Sequence, residues 1–483
     1  MDELARTRTD LERLEEKERD FEQQLSSIRM EIEVHKSRIE SLVRTKPAPI
    51  NSLPPEILSY VVHLAVPDCY PSRLSKLEMV SRPWRDAITG CPTLWNNVSI
   101  TRWVRESLVK TQVERSAQGP LDITINYWEP SPYFTSILDI VVPHVHRWRA
   151  LRICASNLNG LEPLLDKFNS LKFPSLIRTT ISGDFIRYPN FLRPENSPSL
   201  QSLDCRLIPM DDFPLGQRFT DLVVEFPPVS PFIQQLLPRM LLSLLSSQNL
   251  TTLKLVCSSD PSLQPNSIYL PSLTSLTLEV EYPRELFLAI VAPRLSHLDF
   301  DGKDLDEPLS AVFWGFGSKF RRVHHVVLHV GSSQFTVGCA EVVSLAFPNV
   351  RHVKLDTMHM HFFFKTDLDG TCPADRWKSL KSLAFHNLKT CNKSCTKDLV
   401  RWLERRQLAG RPMLQVKFAD CTFRSRNQGD GNHSEPGLLL DIYHSLREIC
   451  TLDMVGVTLR RTLTMSLSSV SPPPLVRIVI ATE

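Results

Sequence analysis

The sequence predicts an α/β chain in three parts: a long N-terminal helix (1–46), a short block of helices (47–98) and a repeating, strand-bearing domain (99–483). Three observations carry that reading. Residues 1–46 contain neither proline nor glycine and repeat apolar residues on a seven-residue period. A proline-containing break, "TKPAPI" at 45–50, is followed by dense apolar segments of helical spacing. Beyond them a six-residue apolar pattern recurs every 22–30 residues, which marks a stack of repeats sharing one core.

In the first part, Leu4, Leu11, Leu25, Ile32 and Ile39 fall on one set of heptad positions and Leu14, Phe21, Ile28 and Leu42 on the other. Thr7, Glu18 and His35 interrupt the seam, leaving nine of twelve seam positions apolar. A coiled coil about 63 Å long follows at ~1.5 Å per residue, and the simplest pairing is a homodimer through residues 1–46.

The second part opens with "PINSLPPEILSYVVHLA" (49–65). The first N–H groups of a helix have no intrahelical partner, so Pro54 and Pro55 start the helix sharply, and Glu56 sits where the dipole favours a carboxylate. Ile57, Leu58, Val61, Val62, Leu64 and Ala65 cover more than the ~100° stripe an ordinary surface helix buries. Leu74, Leu77, Met79 and Val80 follow, then Trp84, Ile88, Leu94 and Trp95. Roughly 45 residues make a small core, so a unit this apolar is expected to pack on something else.

"INSLPPEIL", "LSKLEMVSRPWRDAI" and "CPTLW" together resemble an F-box, in the form common in fungal F-box proteins, across residues 49–96. The connection "PDCYPSR" (67–73) is longer than in the simplest members. The resemblance implies a three-helix module that inserts into the Skp adaptor of a cullin–RING ubiquitin ligase. Carried over by position, Leu53, Pro54, Ile57, Leu58 and Val61 would face the adaptor, with Leu77, Val80 and Trp84 from the later helices. Trp95 is expected to pack between the module and the first repeat.

The repeat unit reads "LTTLKL" (250–255), "LTSLTL" (273–278), "LSHLDF" (295–300), "VHHVVL" (323–328), "VRHVKL" (350–355) and "LKSLAF" (380–385). Weaker copies are "WRALRI" (148–153), "LQSLDC" (200–205), "FTDLVV" (219–224) and "MLQVKF" (413–418). Pro198, Pro271, Pro293 and Pro348 each stand two residues before a copy, turning the chain the same way into each strand. The pattern resembles leucine-rich repeats and implies an irregular solenoid of that kind. The family's Asn or Cys after the core is missing, since Ser258, Glu281, Lys303, Gly331, Met358 and Leu388 occupy that place. "RSRNQGDGNHSEPG" (424–437) has no apolar side chain and reads as a flexible loop, and "PPPLVRIVIATE" ends in a strand.

Residues two, four and six places into each copy point away from the core. His297, Asp299, Asp301, His325, His329, His352, Lys354 and Asp356 therefore form a candidate target-binding patch, expected to gain charge below about pH 6.5. An ordinary solvated sheet face is the plainer alternative. Cys372, His386, Cys391 and Cys395 include a "CNKSC" spacing that zinc allows, but no second paired half accompanies it. "HMH" (359–361) reads as a strand edge, and no metal or cofactor is expected.

The totals narrow the function. Lys+Arg 56 against Asp+Glu 53 leaves a net charge of +3 with no basic block, which argues against nucleic acid. Only 16 glycines, and none in a phosphate-binding motif, argue against a nucleotide enzyme. Eleven scattered cysteines, a charged start and no apolar run of ~20 residues point to the cytoplasm or nucleus, away from membranes. The expectation is a non-catalytic substrate-recognition subunit of a Skp–cullin–F-box ligase that holds an unknown target on its repeats. The alternative is an F-box scaffold or tether outside the ligase.

Overall fold

The computed structural model describes residues 2–45, 50, 53–66, 71–128, 131–155, 161–185, 188–207, 219–227, 235–245, 249–302, 305, 307–317, 319–331, 335–356, 359–386, 393–419, 446, 449–455 and 478–479. The loop expected at 424–437 lies outside them. The chain divides into two compact units, Met1–Ser99 with Arg105–Leu121 and Ile100–Val104 with Asp122–Glu483.

The first unit contains α1 (Asp2–Thr45), α2 (Pro55–Ala65), α3 (Pro71–Glu78), α4 (Arg82–Thr89), a 3-10 turn at Pro92–Trp95, β1 (Asn97–Ile100) and α5 (Glu106–Arg115). α1 is one uninterrupted helix, and its side chains from residue 6 to 42 are all exposed. Pro54, at φ −54° and ψ 146°, aims the chain into α2, and its carbonyl accepts from the N–H groups of Ile57 and Leu58 at 3.0 Å. The core gathers Leu58 and Val62 from α2, Leu74 from α3, Trp84, Ala87 and Ile88 from α4, and Leu94 and Trp95 from the 3-10 turn. Trp95 donates from Nε1 to the Ile88 carbonyl at 2.8 Å, and the Arg115 guanidinium lies 4.5 Å over its ring. Arg115 also pairs with Glu78 at 2.6 Å, tying α5 to α3. Trp95 is thus a core residue of the first unit.

The second unit is built on parallel strands. After β2 (Leu121–Trp128) come β3 (Trp148–Ala155), β4 (Arg178–Phe185), β5 (Ser202–Leu207), β6 (Asp221–Phe226) and β7 (Thr252–Cys257). The short β8 (Ile268–Tyr269) and β10 (Ile290–Val291) pair only with each other, flanking β9 (Ser275–Val280). Then follow β11 (His297–Gly302), β12 (His325–Val330), β13 (His352–Asp356), β14 (Ser382–His386), β15 (Gln415–Ala419), β16 (Thr451–Val455) and β17 (Ile478–Val479). Apart from β8 and β10, the strands stand side by side in chain order, one for each repeat.

The copies that begin at Leu273, Leu295, Val323, Val350 and Leu380 do the same three jobs. The first apolar residue closes a tight turn, as when the N–H of Leu273 bonds to the Leu270 carbonyl, that of Leu295 to Ala292, and that of Val350 to Phe347. Pro271, Pro293 and Pro348 occupy the second place of those turns, where a fixed φ suits the bend. The second apolar residue enters a buried row in which Leu222, Leu253, Leu276, Leu298, Val326 and Val353 pair in succession. The third enters a parallel row that includes Leu278, Phe300, Leu328 and Leu355. Between turn and strand, Thr251 donates its hydroxyl to the Thr220 carbonyl at 3.0 Å, Thr274 to Thr251 at 3.1 Å and Ser296 to Thr274 at 3.1 Å. This hydroxyl ladder bonds neighbouring repeats at the approach to β7, β9 and β11.

Aromatic rings fill the space behind the sheet. Phe287 stands 5.2 Å from Phe313 and 5.7 Å from Phe300, and Phe347 stands 5.3 Å from Phe313, centroid to centroid. The segment "HMHFFF" forms a short helix, Met360–Phe364, not the strand edge expected from its position. The reason is spacing: Met360, Phe363 and Phe364 fall at i, i+3 and i+4 and are all buried.

Replacing Leu328, fully buried in the second core row, by Ala is expected to cost about 2–5 kcal/mol. Thr251→Val, which removes one rung of the hydroxyl ladder, should cost about 1 kcal/mol. Urea unfolding followed by circular dichroism reads both, and the order Leu328→Ala well above Thr251→Val is the expected outcome.

Candidate functional site

Two surfaces stand out, one in each unit. In the first, α2 is apolar on both sides. Leu58 and Val62, four residues apart, face the core. Ile57, Tyr60 and Leu64, spaced at i, i+3 and i+7, share the opposite side and are 47%, 63% and 65% exposed. Half-buried Val61 borders them, and Pro54 is exposed with half-buried Leu53 at the helix entrance. At the corner between α3 and α4, Met79 and Val80 are exposed and Leu77 is half-buried.

Six of the eight residues expected to face a partner, Leu53, Pro54, Ile57, Val61, Leu77 and Val80, therefore retain surface. Leu58, at 1% exposure, and Trp84, at 7%, do not. They are corrected to core positions, because α4 can pack on α2 only if these side chains interlock with Ile88 and Leu74. Tyr60, Leu64 and Met79 join the exposed set; helical spacing from Ile57 is the signal that marks the first two.

The second surface is the outward side of the parallel sheet. His297, His325 and His352 pair in register across β11, β12 and β13. Their rings lie 5.3 Å apart at 25° and 5.7 Å apart at 30°. Hydroxyls hold the ends of this ladder: Ser296 Oγ is 2.8 Å from His297 Nδ1, and Ser382 Oγ is 2.6 Å from His352 Nδ1. Burial, then the neighbouring rings of His297 and His352, push the His325 pKa down. Burial, then Lys381 and Arg351, push His352 down as well. The expectation of charging near pH 6.5 is corrected: two of the three imidazoles hold the neutral form to lower pH, because stacking one cation on another in a half-buried row is unfavourable.

The next row carries Asp299, whose carboxyl is pushed up by burial, an effect that His329 and Lys354 partly offset. Lys354 stands between Val327 and Ala384. At the strand ends Asp301 is paired with His329. His329 Nδ1 and His386 Nε2 are 2.9 Å apart, so one donates to the other, and Asp299 and Asp356 flank the pair at 4.0 Å and 3.9 Å. Asp356 is buried at 7% exposure and serves His386. The other seven members of the expected patch lie on three neighbouring strands, β11, β12 and β13. Beside them, a cavity of about 220 Å³ opens between the ends of β7, β9 and β11, lined by Ser258, Glu279, Glu281 and Asp301 among others.

The chemistry of the remaining groups is quiet. Burial pushes the Cys257 thiol up to about 11 and the Cys372 thiol up to about 12, so neither is a thiolate at neutral pH. His386 is engaged with His329 and Asp356, while Cys391 and the Cys395 side chain lie outside the described residues. Among the described residues, no group of three or more His, Cys, Asp or Glu is placed to hold a metal ion, and no helix is long and apolar enough to cross a membrane.

His359, fully buried and stacked 4.2 Å from Phe335, yields a pH prediction. Burial lowers its pKa from 6.5 to about 4. The unfolded chain binds this proton first, so its contribution to stability is complete above pH 6.5 and declines as pH falls towards about 4. His359→Phe, which keeps the stack, is expected to lose less stability than wild type between pH 7 and pH 4.5, read from urea midpoints. No known protein family matches this chain, and no curated protein matches it, so the two surfaces themselves carry the functional reading.

Proposed function

We propose that the chain is a substrate-recruiting subunit of a Skp–cullin–F-box ubiquitin ligase. The first unit docks the Skp adaptor, which brings the cullin, and the outward rows of the repeat sheet hold a target protein. The chain itself performs no bond chemistry in this reading; it sets which target meets the ligase. The observation that carries the proposal is the two-sided apolar helix α2. Its inner side completes a small core, yet Ile57, Tyr60 and Leu64 on its outer side, with Met79 and Val80 on the first unit, remain exposed. An apolar surface of that kind on a short helical module favours a protein partner.

On the target side, neutral imidazoles beside Asp299, Asp301 and Lys354 favour a polar segment read by hydrogen bonds over a strongly charged one. Asp299, Asp301, His325, His352 and Lys354 are half-buried beside exposed His297, which suits recognition by insertion between rows.

Ile57→Asp with Val80→Asp places charge on the exposed side without touching the core, so the variant is expected to fold. Its affinity for purified Skp adaptor should fall by at least about tenfold, measured by calorimetry. Unchanged affinity contradicts the assignment. In affinity purification from cells, adaptor recovered without cullin favours the alternative of an F-box scaffold outside the ligase. His297→Ala, His325→Ala and His352→Ala together are expected to weaken target capture while adaptor binding stays at the wild-type level.

A further inference from the structure

We propose that α1 pairs with α1 of a second copy as a parallel, in-register two-stranded coiled coil, with Glu18 and His35 fixing the register. Leu11, Leu14, Phe21, Leu25, Ile32 and Ile39 are each 48–63% exposed along a single 44-residue helix. Long helices in proteins are stabilised chiefly by packing an apolar face, and a stripe repeating every 3.5 residues fits another helix better than a flat or globular surface. The length matters too, since a seam this long would leave most of its apolar layers in water on an isolated chain.

The seam mixes residue types, and the two-stranded order stands in its last heptad. Leu25 with Ile28 has the reverse order, whereas Ile39 occupies the first seam position and Leu42 the second. A β-branched residue at the former with leucine at the latter favours two strands over three or four.

Orientation follows from the polar interruptions. In a parallel pair with no offset, Thr7 meets Thr7, Glu18 meets Glu18 and His35 meets His35, while every other layer from Leu11 to Leu42 is apolar on both sides. Sliding one helix by seven residues sets Glu18 against Leu11 or Leu25, and His35 against Ile28 or Leu42. An antiparallel pair with full overlap sets Glu18 opposite Ile28, His35 opposite Leu11 and Thr7 opposite Ile39. Both alternatives bury a charged group against hydrocarbon and break apolar layers at twice as many places. Grouping the polar residues in shared layers leaves them a common path to water, and the cost they impose is what holds the register.

The flanks agree. In the parallel register Lys17 faces Glu22 of the second copy and Glu31 faces its Lys36, against one like-signed pair, Asp10 with Glu15. Lys36 already pairs along its own helix with Glu33 at 2.8 Å, on an exposed surface where exchange between carboxylates is easy.

The test uses the full chain. Sedimentation equilibrium is expected to show a dimer, and Leu25→Asp with Ile28→Asp a monomer. Because α1 is exposed throughout, unchanged circular dichroism outside the lost helical signal checks that the rest folds. Glu18→Leu is expected to tighten the dimer by at least about tenfold. Leu11→Cys, mildly oxidised, should yield a peptide cross-linked between the two introduced thiols, with wild type giving the background from its own cysteines. In the antiparallel pair the two 11 positions stand 24 residues, or about 36 Å, apart, far beyond disulfide reach. A monomeric wild type, or a dimer that survives Leu25→Asp with Ile28→Asp, overturns the pairing. A dimer lacking the 11–11 link overturns the parallel orientation.

Discussion

The second unit depends on one constraint: parallel pairing of successive strands with no shift in register from β5 through β16. Because side chains alternate across a strand, a slip of one residue at any pair would turn Leu276 or Leu298 outward and bury Asp299 or His297 in their place. Three features resist such a slip. Prolines bend the approach alike at four copies, the first apolar residue closes a turn at Leu273, Leu295, Val323, Val350 and Leu380, and hydroxyls from Thr251, Thr274 and Ser296 bond back to the preceding repeat. The irregular lengths between repeats are absorbed in the returns behind the sheet, where aromatic rings pack in variable arrangements.

The same register that builds the core decides the chemistry of the outward side. Equal placement of His297, His325 and His352 in sequence becomes ring-on-ring contact in space. Burial, helped by that contact, lowers the affinity of His325 and His352 for protons, so these two imidazoles hold their neutral, hydrogen-bonding form to lower pH. Farther along the strands, Asp299 and Asp356 lie 4.0 Å and 3.9 Å from His329 and His386, so carboxylates and imidazoles meet at that end.

Sequence alone made the strands of all ten recognisable copies legible, because their apolar spacing encodes both period and facing. It missed β2, β4 and β16; in β4, Thr179 takes the place of an aliphatic residue and is buried all the same. A hydroxyl hidden among leucines carries no periodic signal. The aromatic segment after β13 misled for a related reason: three consecutive phenylalanines fit either period until their neighbours are known. In the first unit, apolar residues on α2 were legible as an excess, but which of them face inward depends on where α4 crosses. Leu58 and Trp84 were therefore assigned outward when they belong to the core.

α2 exceeds what its own unit can bury, and the proposed ligase role rests on what covers the remainder. Hydrogen–deuterium exchange of the full chain, alone and with purified Skp adaptor, tests this most directly. Slower exchange over Pro55–Ala65 and around Met79–Val80, with β11–β14 unchanged, is the expected result. Unchanged exchange in α2 under saturating adaptor, or protection confined to the repeat strands, would contradict it.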